Sequence, residues 1–343
     1  MIFYPLSLTL SRRERGRFIR IIRDSSEADP FIFIERYLTV DYCVFIHTNH
    51  KQIVGALVAE YALRRNSRNN DRFDVRIIHH RDYPFFKTHE GQLYLRDGVK
   101  RPWLNEDLQS FTPLRFMPPE LMGYSGRAVV IDPDIFAVGD VWELLSRDMH
   151  GKAIMCRARS GPKGCIDRCL ASSVMLLDCE KLTHWRVEEQ FNDMFSFQRD
   201  YQPWICLKLE PRATIGLLEK QWNDFDRLND HTKMLHNTRR RTQPWKAGLP
   251  IDWRPADRFR LFPPFAWLMR ARRRLFGEYA LLGHYKPHPD PNQQNFFFGL
   301  LKECLEHGIV TEAMIRQEMQ HNHVRHDALE VLERTPRLAG AWR

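Results

Sequence analysis

The chain has 343 residues, of which 43% are hydrophobic and 28% charged, and its formal net charge is +9. This is the balance of an ordinary globular protein, long enough for one large α/β domain and a helical extension, and no apolar run is long enough to cross a bilayer. The positive charge favours anionic partners, a class that includes nucleotide phosphates, anionic lipids and nucleic acid.

Residues 1–35 are set aside as an uncertain N-terminal segment. A short apolar piece precedes Arg12, Arg13 and Arg15, the reverse order of a secretory signal, and residues 5–16 resemble a translated bacterial intergenic repeat that makes an earlier-than-true start the expectation. The first predicted strand is 43–48 (Cys-Val-Phe-Ile-His-Thr), a short apolar run of the kind buried in parallel sheets. A helical pattern through Ile53, Leu57, Ala59 and Leu63 follows, then a second strand at 73–79. Strand, helix and strand in that order imply a parallel sheet. Residues 80–110 show no clear period and read as a long connection. A helix is predicted within 114–122, a clean strand at 127–131, a short helix at 141–145, and strands at 152–156 and 173–177. From residue 263 the pattern turns helical, with segments at 264–281, 293–304, 311–319 and 327–332. The stretch 261–282 carries the basic run 270–274 and reads as a basic amphipathic helix; a solvated face is the plain reading, with contact to an anionic membrane or nucleic acid as the alternative. The seven cysteines include no C-x-x-C pair and are odd in number, so a disulfide framework is not expected and a reducing, cytoplasmic compartment fits. Cys165 and Cys169, four apart without a second pair, make a poor zinc site.

The segment Ala128-Val-Val-Ile-Asp132-Pro-Asp134 sets two carboxylates just past the end of an apolar strand, where open α/β sheets bind ligands. Two carboxylates so spaced can share one divalent ion, which takes its remaining ligands from water and substrate phosphate. An Asp-x-Asp pair alone is commonly no more than a turn; the surrounding residues decide between the readings.

Those residues resemble glycosyltransferase family 8. That family carries a run like YLDADxxVxxDxxELW, and this chain has Val-Ile-Asp132-Pro-Asp134-Ile-Phe-Ala-Val-Gly-Asp140-Val-Trp-Glu143-Leu144 with the same spacing. Arg115, seventeen residues before Asp132, suits the family's upstream arginine. The family's FNSGVMLI strand corresponds to Leu-Ala171-Ser-Ser173-Val-Met-Leu-Leu, with the asparagine and glycine replaced. Its DQDxLN stretch corresponds to 202–207, without the first acid, and its LPxxWN to Leu218-Glu-Lys-Gln-Trp222-Asn223. Its histidine-led HFxGxxKPW motif corresponds to His236 through Trp245, with Gln243 in the lysine's place.

The resemblance covers about residues 43–248 and implies a GT-A type nucleotide-diphospho-sugar transferase fold. A mostly parallel central sheet would be flanked by helices in a catalytic domain over 36–255, followed by a helical extension over 256–343. It implies that Asp132, Asp134 and His236 hold Mn²⁺ or Mg²⁺, and that Arg115 meets the diphosphate or the donor sugar. His47, Thr48 and Asn49 would form the turn that meets base and ribose, while Arg239, Arg240, Arg241 and Lys246 would supply positive charge to the phosphates. The expected activity is metal-dependent transfer of a hexose from a nucleotide-diphosphate sugar, a UDP-sugar by family, with retention of configuration. The acceptor would be a glycan, lipid or protein, a bacterial cell-surface glycan by the same resemblance. No nucleophilic carboxylate is assigned; Asp178, Asp200 and Asp224 are candidates. Two other readings stand beside it: a degenerate nucleotide-sugar binder without turnover, and a basic nucleic-acid-binding protein, against which the absence of any recognised nucleic-acid motif weighs.

Overall fold

The computed structural model describes residues 41–159, 169–254 and 263–340, which belong to one compact unit, Thr39–Arg343. The segment 1–35 and Cys165 lie outside the described residues.

Strand β1 (Tyr42–Thr48) is buried from Cys43 onward, and a side-chain cap from Asn49 to Lys51 N turns the chain into α1 (Ile53–Arg65). Strand β2 (Asp74–His79) then pairs parallel with β1, as the strand–helix–strand pattern requires. The stretch 80–110 is not a bare connection. It holds α2 (Phe85–Thr88) and an antiparallel hairpin of β3 (Leu93–Arg96) and β4 (Val99–Pro102). The hairpin turns at Asp97 and Gly98, both at positive φ (53° and 72°), as a two-residue turn matched to strand twist demands. Phe86, Tyr94 and Trp103 anchor this segment in the core on one side of the sheet.

Helix α3 (Pro118–Leu121) starts on two prolines, tolerated in a first turn where the N–H groups lack helical partners. Next come β5 (Arg127–Ile131), β6 (Ile135–Ala137), α4 (Trp142–Leu145), β7 (Ile154–Ala158), β8 (Leu170–Asp178), α5 (Val187–Phe195), α6 (Tyr201–Ile205), β9 (Ile215–Leu217), β10 (Asp224–Phe225) and β11 (Met234–His236). The main sheet runs β2-β1-β5-β8-β7-β9. Its pairs are parallel except those of β8, which opposes both β5 and β7, so the predicted mostly parallel sheet is observed. A smaller sheet, β10-β11-β6, stands at the ends of the main strands.

The C-terminal helices are α7 (Pro263–Phe276), α8 (Pro291–Glu306), α9 (Glu312–Gln320) and α10 (Ala328–Arg334). Phe296, Phe297, Leu300 and Leu301 of α8 enter the same core as Val54, Val58 and Leu63 of α1. Arg65 and Tyr61 of α1 both bond Glu303 of α8. The region thus packs as part of the main core. Helix α7 differs: Trp267 (76% exposed), Leu268, Leu275 and Phe276 face solvent beside Arg272, Arg273 and Arg274. Among the described residues, no helix is long and apolar enough to cross a membrane.

One contact joins this scaffold to the acidic pair. A Cβ added at Gly55 of α1 would sit 2.6 Å from the Pro133 carbonyl oxygen, between Asp132 and Asp134. Only glycine lets the helix approach this closely. Gly55→Ala is expected to cost about 1–3 kcal/mol, read as a lower denaturation midpoint; an unchanged midpoint would mean that the helix and the loop do not press on each other.

The cysteine expectation needs correction. Cys169, just before β8, is disulfide-bonded to Cys206, just after α6, across a separation of 37 residues, whereas Cys43, Cys156, Cys179 and Cys304 are free and buried. Sequence spacing gave no hint, because the pairing is made by the fold bringing the start of β8 against the end of α6. From the closed-loop length, Cys206→Ser is expected to lower stability by about 3–4 kcal/mol in denaturant unfolding, and a reductant is expected to do the same to the wild type. Insensitivity to both would refute the bond.

Candidate functional site

Ile131, the last residue of β5, is fully buried, and the chain emerges at Asp132 at the carboxyl end of the parallel strands. Asp132 N still donates to Ser173 O of β8 (3.1 Å), so this carboxylate has a fixed origin. Asp134 follows one residue later and leads into β6. Because β6 pairs antiparallel with β11, Ile135 lies opposite His236. That register carries the histidine to the acidic pair: ligand atoms of Asp132, Asp134 and His236 all lie within 4.8 Å of one another.

The two carboxylates have different surroundings. Asp132 accepts from Arg115 Nη2 at 2.8 and 3.1 Å, and His47 Nε2 lies 2.9 Å from its Oδ1. Arg115 Nη1 also donates to Ser172 Oγ (2.6 Å), which in turn donates to Ile205 O. Burial would raise the Asp132 carboxyl, but Arg115, then the hydrogen bond with His47, overcome it and hold the group well below the usual carboxylate range. Burial pushes the His47 imidazole down, with Asp132 opposing.

Asp134 Oδ2 accepts from Gln243 Nε2 (2.9 Å), while its Oδ1 is buried without a hydrogen-bond partner and stands 3.4 Å from His236 Nε2. On the other edge of the imidazole, His236 Nδ1 is 2.8 Å from Asn223 Oδ1. Asn223 Nδ2 donates to Ser173 Oγ (2.9 Å), which leaves Oδ1 as the acceptor and makes Nδ1 the donor. In the neutral ring Nε2 then turns a lone pair toward the unpartnered Asp134 oxygen. Two buried acceptors facing each other are costly, and a cation between them removes the cost. Two carboxylates and one imidazole also form a chemically suitable donor set for a divalent ion.

Several predicted residues are engaged elsewhere. Thr48 and Asn49 are fully buried. Asn49 Nδ2 bonds Asp107 O, Leu108 O and Ser110 Oγ, while Thr48 Oγ1 donates to Asn49 O. These residues tie the end of β1 to the loop after β4 and offer no surface to a base or ribose. His47 backs Asp132 instead. Lys246 is fully buried and donates to Asp252 (2.9 Å), whose other oxygen accepts from Tyr285, so its charge is neutralised inside the fold. Arg239, with its side chain 68% exposed, lies 3.9 Å from Asp226. Arg240 stacks over Trp253 at 5.2 Å. Asp178 is at the far end of β8, opposite Arg127 and paired with Lys181. Asp200 caps α6 and accepts Asp97 N and Gly98 N, which fastens the hairpin. Asp224 accepts from Thr232.

The structure adds Ser172, Ser173, Asn223 and Gln243 as holders of the three ligand candidates. A legible signal was present for the serines: two adjacent hydroxyls in an otherwise apolar strand, buried over eight successive residues, require partners.

No family profile matches this sequence, and no curated protein matches it. Solved structures similar to it are glycosyltransferases. GlyE of Streptococcus pneumoniae TIGR4 aligns at 14% identity and a TM-score of 0.42, over 78% of this chain and 64% of that one. The chain therefore spans less than two thirds of GlyE. Galactosyltransferase LgtC, in complex with donor and acceptor sugar analogs, aligns at 10% identity and 0.42, over 59% and 89%. Mouse xyloside xylosyltransferase 1 aligns at 15% identity and 0.39, over 58% and 98%. Likeness at this level assigns neither family nor activity, and the functional reading rests on the side chains.

Proposed function

We propose that the chain is a GT-A type glycosyltransferase, similar to family 8. It would move a hexose from a nucleotide-diphosphate sugar, a UDP-sugar by resemblance, to an acceptor hydroxyl on a glycan, lipid or protein. The observation that carries this reading is the buried, unpartnered Asp134 Oδ1 facing His236 Nε2 beside Asp132.

Asp132, Asp134 and His236 would hold the divalent ion. The imidazole favours Mn²⁺ over Mg²⁺, which prefers an all-oxygen shell. When bound, the ion supplies Lewis-acid neutralisation of the departing diphosphate. Arg115 and His47 fix the Asp132 carboxylate, Gln243 aims Asp134, and Asn223 sets the His236 tautomer. Arg240, held over Trp253, would add positive charge for the phosphates, and guanidinium forks fit phosphate oxygens. The side chains of Lys246, Thr48 and Asn49 are engaged inside the fold and are not assigned to donor binding in this reading.

One observation favours a second reading, a binder of nucleotide sugars without turnover: both Asp132 oxygens are already taken by Arg115 and His47. Nucleotide diphosphate release from a panel of nucleotide sugars, with and without Mn²⁺, separates the two. Mn²⁺-dependent release supports the transferase; calorimetric binding without release, in the presence of candidate acceptors, supports the binder; no binding of any donor refutes both. The exposed apolar residues of α7, with Arg274 beside them, would rest on an anionic membrane surface. Failure to co-sediment with phosphatidylglycerol vesicles at low salt would remove that partner.

A further inference from the structure

A second group of ligand-type side chains lies away from Asp132 and Asp134, at the end of α9. Glu318 and His321 are three residues apart, so they share one helical face. The helix then closes on Asn322 in the left-handed conformation (φ 59°). His323 N bonds Glu318 O (2.9 Å) and Asn322 N bonds Met319 O (3.1 Å), the paired hydrogen bonds of a left-handed helix end. This reversal folds His323 back over the last turn and sets its Nδ1 2.7 Å from Glu318 Oε2. Ligand atoms of Glu318, His321 and His323 lie within 4.8 Å of one another. Across from them is His50, whose ring centroid is 5.3 Å from that of His323 and whose Nε2 is 3.0 Å from Glu106 Oε2.

From this geometry we infer that Glu318, His321 and His323 form a second metal site, of the class that takes Zn²⁺. Two imidazoles and one carboxylate are a borderline-soft set that suits zinc better than Mg²⁺ or Ca²⁺, and a fourth position is left to water or to His50. Glu318 and His323 are largely buried and positioned by the helix end, whereas His321 is exposed and free to swing inward by the roughly 1 Å that metal–nitrogen distances of about 2.0–2.1 Å require. With His50 in the fourth position the ion would fasten α9 to the turn His50–Gln52, which leads from His47 at the end of β1 into α1. Its role is that of a clamp between the C-terminal helices and the strand end that backs Asp132. The site is independent of the proposed transfer chemistry.

The test uses the full chain, free of any polyhistidine tag, in an Asp134→Ala background that disables the other cluster. Zn²⁺ is titrated against a chromophoric chelator, and the melting temperature is followed with and without Zn²⁺. One Zn²⁺ per chain and a rise in Tm are expected. His321→Ala, a surface change that leaves the fold intact, is expected to weaken binding at least tenfold, and His321→Ala with His323→Ala to abolish both binding and the Tm rise. Absence of Zn²⁺ binding in the Asp134→Ala chain would overturn the inference. So would binding unaltered by His321→Ala.

Discussion

Asp134→Asn is expected to cut Mn²⁺-stimulated release of nucleotide diphosphate by about 10²–10³-fold and to raise the melting temperature at the same time. The two effects have one cause. In the native protein the Asp134 Oδ1 acceptor is buried without a partner and faces His236 Nε2 at 3.4 Å. Gln243 Nε2 satisfies only the other oxygen. An asparagine can keep Oδ1 toward Gln243 and donate Nδ2 to His236, which replaces an acceptor–acceptor encounter with a hydrogen bond worth about 1 kcal/mol. It also removes the negative charge that a divalent ion requires. Asp134→Ala is expected to lose activity to the same degree, with stability near that of the wild type. Calorimetry and a release assay on the same preparations decide the matter. Release that persists in Asp134→Asn would sink the metal-dependent reading, and a fall in Tm would show that the oxygen has a partner in solution.

The parts of this arrangement legible in the sequence were those written as local patterns. The alternation of apolar runs and helical spacing over 43–79 dictated a strand–helix–strand unit. The apolar run 127–131 ended on Asp132, and the terminal helices carried their own periodicity. The acidic pair with His236 was reachable because the resemblance supplied an ordered set of motifs, and the β6–β11 register brings those residues together. What could not be read was which polar groups would be spent inside the fold. Nothing local distinguishes Lys246, buried on Asp252, from a lysine offered to phosphate. Asn49 looks like a loop residue but is consumed by Asp107, Leu108 and Ser110, about sixty residues away in sequence. The Cys169–Cys206 bond is likewise a product of tertiary placement. The hairpin of β3 and β4 did carry a local signal, the Asp97-Gly98 pair that a two-residue turn at positive φ favours.

Arg115→Met is expected to be the most destabilising single change in the site, costing about 3–5 kcal/mol at neutral pH. The guanidinium holds both Asp132 oxygens and Ser172 Oγ, so its loss strands a largely buried carboxylate and takes from Ser172 one of its two hydrogen bonds. His47 cannot replace it, since burial pushes that imidazole down and leaves it neutral. The pH dependence identifies the mechanism. In the wild type the Asp132 carboxyl is held below its unfolded value of about 3.9, so the folded chain binds fewer protons than the unfolded one. The stabilisation from Arg115 is therefore complete above about pH 4 and drains away as the pH falls below it. Without Arg115, burial prevails and raises the same carboxyl, so the variant loses stability as pH rises through 4 and beyond. The difference between the two proteins is thus expected to be largest at pH 7 and to shrink on acidification toward pH 4. Urea midpoints at the two pH values measure it. A gap that stays constant with pH would mean that the loss comes from packing rather than from the Asp132 charge. Arg115→Lys supplies the control: it restores the charge but not the fork that reaches Ser172, so partial recovery of stability is expected at neutral pH.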